Sequence, residues 1–136
     1  MTPGVTVVGL GPGDPGLLTL RAVEVIRAQG EVYLRTRRNP AVAGLPEAVR
    51  IESFDDLYDQ ADDFAAVYAE IVERLIGLAR RPEGVVYAVP GDACVGEATV
   101  PMLRLATEKE GLALEIIAGI SFLEPTLAAV GVAALD

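Results

Sequence analysis

Histidine is absent from the 136 residues, and cysteine occurs once. Without imidazole there is no His-based catalytic triad, no His proton shuttle and almost none of the usual zinc chemistry. One thiol cannot form an internal disulfide or a CxxC centre, and it fits a reducing compartment. Positive charge is scarce: Lys plus Arg number 11 against 20 Asp plus Glu, a formal net charge of −9. Phosphate neutralisation requires a basic face, so a nucleic-acid partner is not expected. Nor is a polybasic membrane-surface module. No run approaches the roughly 18 apolar residues of a membrane helix. Met1-Thr2-Pro3-Gly4 is not the basic start of a secretory signal, so a soluble, cytoplasmic protein is expected.

What is present is apolar and alternating. Hydrophobic residues make up 51% of the chain and charged residues 23%, enough burial to offset ordering entropy in one compact domain. Val5 to Val8 reads as a strand, Thr19 to Ala28 as a helix with Gly30 past its end, and Glu31 to Leu34 as a second strand. Val49 to Ser53 reads as a third strand, and Phe54 to Asp63 as an acidic, irregular stretch. Phe64 to Arg80 has the strongest helical periodicity, with Asp62 and Asp63 before it and Pro82 beyond. Val85 to Val89 is a continuous apolar run, as in a strand covered on both faces. Ala98 to Glu110 is a helix and Ala113 to Ile117 a strand, and Ser121 to Glu124 forms a capping box that opens a last helix. The expected fold is α/β: an open, mostly parallel five-stranded sheet with helices on both faces. An αβ unit normally runs on into a further strand, so residues 1–136 are expected to form one lobe of a larger domain.

Ligands of open α/β sheets bind beyond the carboxyl ends of the strands. Three glycine-bearing loops fall there: Gly9 to Gly16, Pro90 to Gly96 and Ala118 to Ser121. The first contains a formal G-x-G-x-x-G at Gly11, Gly13 and Gly16. Pro12 and Pro15 remove two of the N–H groups that a pyrophosphate needs, and Asp14 adds negative charge. An NADP-type reading stays open through Arg35, which follows the second strand. Asp14 suits a carboxylate accepting a proton or hydrogen bond from a substrate NH, or a cap on the next turn. The second loop offers backbone groups to a small polar ligand. Cys94 has no His to activate it and is expected as a small buried residue, and Glu97 as part of a first helical turn. Arg35, Arg37 and Arg38 are candidates for carboxylates or phosphates. Asp55, Asp56, Asp59, Asp62 and Asp63 fit no EF-hand spacing, Glu70 and Glu73 lack a second carboxylate pair, and no metal site is expected.

Three segments resemble a known family. Val7-Val8-Gly9-Leu10-Gly11-Pro12-Gly13-Asp14-Pro15, continued by Leu18-Thr19-Leu20-Arg21-Ala22, resembles the opening of the tetrapyrrole (corrin/porphyrin) methylases. Tyr87-Ala88-Val89-Pro90-Gly91-Asp92 resembles their internal P-G-D-P loop, and Ile117-Ala118-Gly119-Ile120-Ser121 their P-G-I-S segment. The likeness covers essentially the whole chain but only the N-terminal half of the family's two-lobed domain. Tyr33-Leu34-Arg35-Thr36-Arg37 and Glu97-Ala98-Thr99-Val100 look most like the subgroup fused to a MazG-type nucleoside triphosphate pyrophosphohydrolase. The resemblance implies methyl transfer from S-adenosylmethionine. It assigns the cofactor's methionine part to Gly91, Asp92, Val95, Gly96, Ile120 and Ser121. It turns Gly11, Pro12 and Gly13 towards a small-molecule, tetrapyrrole-like acceptor, with Asp14 as candidate base and Arg35 and Arg37 meeting acceptor carboxylates. Positioning and deprotonation of the acceptor suffice for such a transfer. Ala93 and Ala118 stand where the family has prolines, which leaves both loops less stiff. A homodimer is expected from apolar surface left open where the second lobe would sit. The alternative from another class is a non-catalytic ligand-sensing or scaffolding module of a MazG-type pyrophosphohydrolase.

Overall fold

β-Branched side chains at Val5, Thr6, Val7 and Val8 favour an extended backbone, and Gly4–Gly9 forms the first strand, β1. The structure, a computed structural model, describes residues 2–133. The other strands are Glu31–Leu34 (β2), Arg50–Ser53 (β3), Val85–Val89 (β4) and Ala113–Ile117 (β5). They lie in the order β3-β2-β4-β1-β5, and every pairing between them is parallel. The helices are Leu20–Gln29 (α1), Asp55–Gln60 (α2), Phe64–Ala79 (α3), Thr99–Glu110 (α4) and Leu123–Val130 (α5). The bounds of β2, β4 and β5 are those expected; α3 and α4 differ by one residue at one end, and α1 is shifted by one residue at both.

Local chemistry sets several of these ends. Thr19 accepts a hydrogen bond from the Ala22 N–H at 3.0 Å and starts α1. Asp63 does the same for α3, accepting from the Ala66 N–H at 2.7 Å. The stretch from Phe54 to Asp63 is not irregular as expected, because it contains α2. Asp55 and Asp56 sit in its first turn, where carboxylates oppose the partial positive charge of the helix start, and Leu57 is buried.

Two apolar clusters cover the two faces of the sheet. Val5, Val7, Val85, Tyr87 and Val89 pack with Val67, Ile71 and Leu75 of α3 and Leu103 of α4. Val8, Leu34, Val86 and Ala88 pack with Ala22 and Ile26 of α1. Each fully buried Val, Leu or Ile among them stabilises the fold by about 1.5–3 kcal/mol. The strand period of two separates the sets, and β4 is buried at every residue.

Crossover handedness decides which helix takes which face. The steps β1 to β2 and β2 to β3 run one way along the sheet, and β3 to β4 and β4 to β5 run the other. One hand for all crossovers sends the first pair of connections to one face and the second pair to the opposite face. The adjacent strands β1 and β4 therefore release their chains to opposite sides. A crevice opens between their carboxyl ends.

Coverage is thin at the β5 edge. No residue of α5 is buried, and Phe122, Leu123, Val130 and Val132 are exposed.

Candidate functional site

The loops after β1, β4 and β5 pack backbone to backbone. The Leu10 N–H donates to the Val89 carbonyl at 2.8 Å. Gly11 and Gly91 then exchange hydrogen bonds, 3.1 Å from the Gly11 N–H and 2.8 Å from the Gly91 N–H. A Cβ at Gly9 or at Gly119 would stand 2.5 Å from the Gly91 carbonyl oxygen, so neither position accepts a side chain without displacing that loop. Asp92 ties the second loop to the third. Its Oδ1 accepts from the Gly119 N–H at 2.9 Å and its Oδ2 from the Cys94 N–H at 3.0 Å. Ala93 beside it is 1% exposed and anchored in the core. Cys94, expected to be buried, is exposed, because Ala93 occupies the inward position of this turn.

These loops frame an open cleft of about 210 Å³ lined by Pro12, Arg35, Pro90, Gly91, Val95, Gly96, Glu97 and Phe122. Of the residues singled out in the sequence, the fold brings Pro12, Arg35, Gly91, Val95 and Gly96 together on it. Ser121 is buried behind Gly91, its Cα 3.9 Å from where a Cβ on Gly91 would lie. Its N–H donates to Glu124 at 3.2 Å, its hydroxyl donates to the other oxygen of that carboxylate, and Oγ accepts from the Leu123 N–H at 3.1 Å. The Ser121 hydrogen bonds hold the Glu124 carboxyl below its usual range. The expected capping box is thus made, although α5 begins two residues later. Ile120 is half-buried beside it.

Other candidates lie elsewhere. Asp14 is exposed, and its Oδ1 accepts from the Gly16 N–H at 2.8 Å, capping a short 3-10 turn at Pro15–Leu17. Gly13 is half-buried on the same loop, and Gly11 is buried in the bridge to Gly91. Arg37 points away from Arg35. Its guanidinium donates to the Ile51 carbonyl at 2.6 Å and lines a different depression with Tyr33, Glu52 and Arg74. Asp55 receives the Thr36 hydroxyl at 2.6 Å and the Arg37 N–H at 2.8 Å. Burial acts to raise its pKa, but these hydrogen bonds outweigh burial and lower it. Asp56 and Glu70 face Arg74, at 3.8 and 3.3 Å. Among the described residues no group of three or more His, Cys, Asp or Glu is placed to hold a metal ion, and no helix is long and apolar enough to cross a membrane.

One constellation escaped the sequence. Arg35 Nη1 donates to Glu97 Oε2 at 2.7 Å. Glu97 Oε1 accepts from the Thr99 hydroxyl at 2.7 Å, and the Tyr87 hydroxyl lies 2.9 Å from the Thr99 oxygen. The Glu97 side chain is only 3% exposed. Burial opposes the charge of Arg35, yet the Glu97 carboxylate prevails and raises the guanidinium pKa. Burial pushes the Tyr87 hydroxyl far up, so it stays neutral. Arg35 Nε is buried without a hydrogen-bond partner among the described residues. Arg35 and Glu97 are 62 residues apart and meet because β2 lies beside β4, where the Arg35 N–H also bonds the Ala88 carbonyl at 2.9 Å. The available signal was an arginine directly after one strand and a glutamate in the loop after another.

Comparison with known proteins agrees with this architecture. The uncharacterized protein YabN of Bacillus subtilis is 42% identical over 127 residues, which are 93% of this chain and 26% of YabN. The chain therefore spans about a quarter of that relative. Cobalt precorrin-4 methyltransferase CbiF superposes with a TM-score of 0.67 at 21% identity, covering 93% of this chain and 50% of CbiF. Uroporphyrin-III C-methyltransferase from Thermus thermophilus gives 0.65 at 26% identity, over 96% of this chain and 54% of that one. The same enzyme complexed with S-adenyl homocysteine gives 0.60 at 23%, over 94% and 51%. Residues 4–134 match the family described as Tetrapyrrole (Corrin/Porphyrin) Methylases. The chain belongs to the tetrapyrrole methylases.

Proposed function

We propose that this chain is the N-terminal lobe of an S-adenosylmethionine-dependent methyltransferase, with the methionine end of the cofactor in the crevice between the loops after β1, β4 and β5. The observation that carries the reading is the crevice itself, three glycine loops pinned together at a switch point of a methylase-family sheet. The residues fit the group. At Gly91 and Gly96 a Cβ would meet only Ser121 Cα at 3.9 Å and Phe122 Cε1 at 3.7 Å. Both glycines therefore leave the crevice open to a ligand that approaches the backbone. Both hold φ near +70°, at 68° and 69°, a conformation that L side chains resist. A neighbour of this fold is complexed with S-adenyl homocysteine, and its chain, like that of CbiF, is about twice the length matched here. That supports a second lobe closing the site.

Bound there, S-adenosylmethionine supplies a methyl group on a sulfonium for in-line displacement. Gly91, Val95 and Gly96 hold its methionine part, and Asp92, Ile120 and Ser121 shape the loops around it. Pro12 and Gly13 face a small-molecule, tetrapyrrole-like acceptor, Gly11 holds their loop against Gly91, and Asp14 on the same loop takes up the acceptor's proton. The family name and the two methyltransferase neighbours support this acceptor class. The motifs at Tyr33 to Arg37 and Glu97 to Val100 support the MazG-fused subgroup, exposed Phe122, Leu123, Val130 and Val132 support a homodimer, and the single thiol fits a cytoplasmic location. One observation favours a non-catalytic, ligand-sensing module instead: Asp14 caps a turn.

Calorimetry of the full-length protein with S-adenosylhomocysteine separates the two. Binding that Gly91→Arg abolishes and Gly91→Ala, which carries the same backbone strain, retains supports the methyltransferase. No binding at millimolar ligand overturns it, and a parallel titration with NADP tests the dinucleotide reading.

A further inference from the structure

Arg35 lines two depressions at once. One is the crevice. The other, about 480 Å³, is walled by Tyr58, Phe64 and Tyr68 and also carries Arg38, Asp55 and Asp59. Arg35 is thus shared by the two, with 22% of its side chain exposed. Its surroundings are unusual for a structural ion pair. Arg81, by comparison, places its donors on the Leu78 and Gly84 carbonyls and on Glu31. Arg35 has five N–H donors, of which Glu97 takes one at Nη1, and its buried Nε has no partner. A buried ion pair is a poor device for stability, since desolvation consumes most of the attraction. Here the carboxylate is itself fixed from behind by Thr99 and Tyr87. Glu97 therefore has both oxygens engaged and is not aimed at a ligand. What it achieves is to fix the direction of a cation whose Nη2 is neither buried nor hydrogen-bonded among the described residues and is left for a carboxylate. In a chain of net charge −9, an anionic ligand needs such a local cation.

We propose that Arg35 is the receptor for a carboxylate of the bound ligand and that Glu97 is the positioning residue that aims it. This rests on the methyltransferase reading. The carboxylate has two possible sources: the amino-acid end of the cofactor in the crevice, or the acceptor in the aromatic-walled depression.

The test is calorimetry on full-length wild type, Arg35→Met, Arg35→Lys and Glu97→Gln. The probes are S-adenosylhomocysteine, 5′-methylthioadenosine, which lacks the amino-acid end, and uroporphyrin III. Arg35→Met is expected to weaken the ligand whose carboxylate is read by roughly tenfold or more, leaving 5′-methylthioadenosine unchanged. Arg35→Lys, which keeps the charge but cannot hold Glu97 and a ligand carboxylate on separate planar nitrogens, falls between wild type and Arg35→Met. Glu97→Gln gives a smaller loss on the same ligand. A loss confined to S-adenosylhomocysteine assigns the cofactor's carboxylate, and one confined to uroporphyrin III assigns the acceptor's. Unchanged affinity for both in Arg35→Met overturns the proposal, and so does an equal loss of 5′-methylthioadenosine, which marks a folding defect. If wild type binds neither adenosine ligand, the methyltransferase reading falls while the uroporphyrin III comparison still decides Arg35. A wild type that binds none of the three overturns both.

Discussion

Asp92 shows how a residue chosen for ligand chemistry can act through the backbone. Both of its oxygens accept N–H groups, one in its own loop and one across in the loop after β5. Asp92→Ala leaves two N–H groups without this partner, and hydrogen bonds to charged groups are worth about 1.5–3 kcal/mol each. The urea midpoint should fall, with cofactor binding weakened in step. A midpoint equal to wild type would contradict the clamp. Gly119→Ala probes the same junction sterically. Its Cβ would stand 2.5 Å from the Gly91 oxygen, and overpacking of this kind costs about 1–3 kcal/mol. The same change at Gly77, where a Cβ would meet nothing within 4 Å, is the control and should not destabilise. Glycine enrichment of these loops was visible in the sequence. That Gly9 and Gly119 both press on Gly91 was not, because the three belong to loops far apart in the chain.

At the scale of elements, α3 and α2 contrast. The 3.6-residue apolar period made α3 legible, and its buried side chains are those on that period. Helix α2 has six residues and one buried side chain. It is held by its capping environment, above all by Asp55 accepting from Thr36 and Arg37 on the segment after β2. No local pattern reports such a contact. Its pKa is lowered from 3.8. The stability it contributes is therefore complete above the unfolded value and is lost as pH falls through the lower folded value. Asp55→Asn should destabilise near neutrality, and the gap from wild type should close below about pH 4. Chemical denaturation across pH 2.5 to 7, roughly the carboxyl range, measures it, and a gap that stays constant would refute the assignment.

For the molecule as a whole, the β5 side is the unfinished surface. Leu123 and Val130 of α5 are 45% and 64% exposed, and Phe122 and Val132 flank them at 56% and 50%. Large apolar side chains exposed together on and beside one helix favour association. Residues 1–136 expressed alone should self-associate, and Leu123→Glu with Val130→Glu should reduce the association. Sedimentation velocity over a wide concentration range decides it, since a concentration-independent monomer would refute the expectation. On the proposed reading of these residues as one lobe of a two-lobed site, residues 1–136 alone should bind S-adenosylhomocysteine weakly or not at all by calorimetry, and tight binding would overturn that reading.

Composition and periodicity were enough for the parallel α/β sheet, for the bounds of β2, β4 and β5, and for three glycine loops at strand ends. These are local properties, set by side-chain period, β-branching and turn residues within a few positions of one another. Strand order belongs to the folded chain alone. It placed β2 against β4 and so joined Arg35 to Glu97, turned Arg37 towards β3 instead, and gave Asp92 a partner in the loop after β5. Those contacts arise between segments separated by 14 to 62 residues, and crossover handedness and backbone packing select them rather than any neighbour in the sequence.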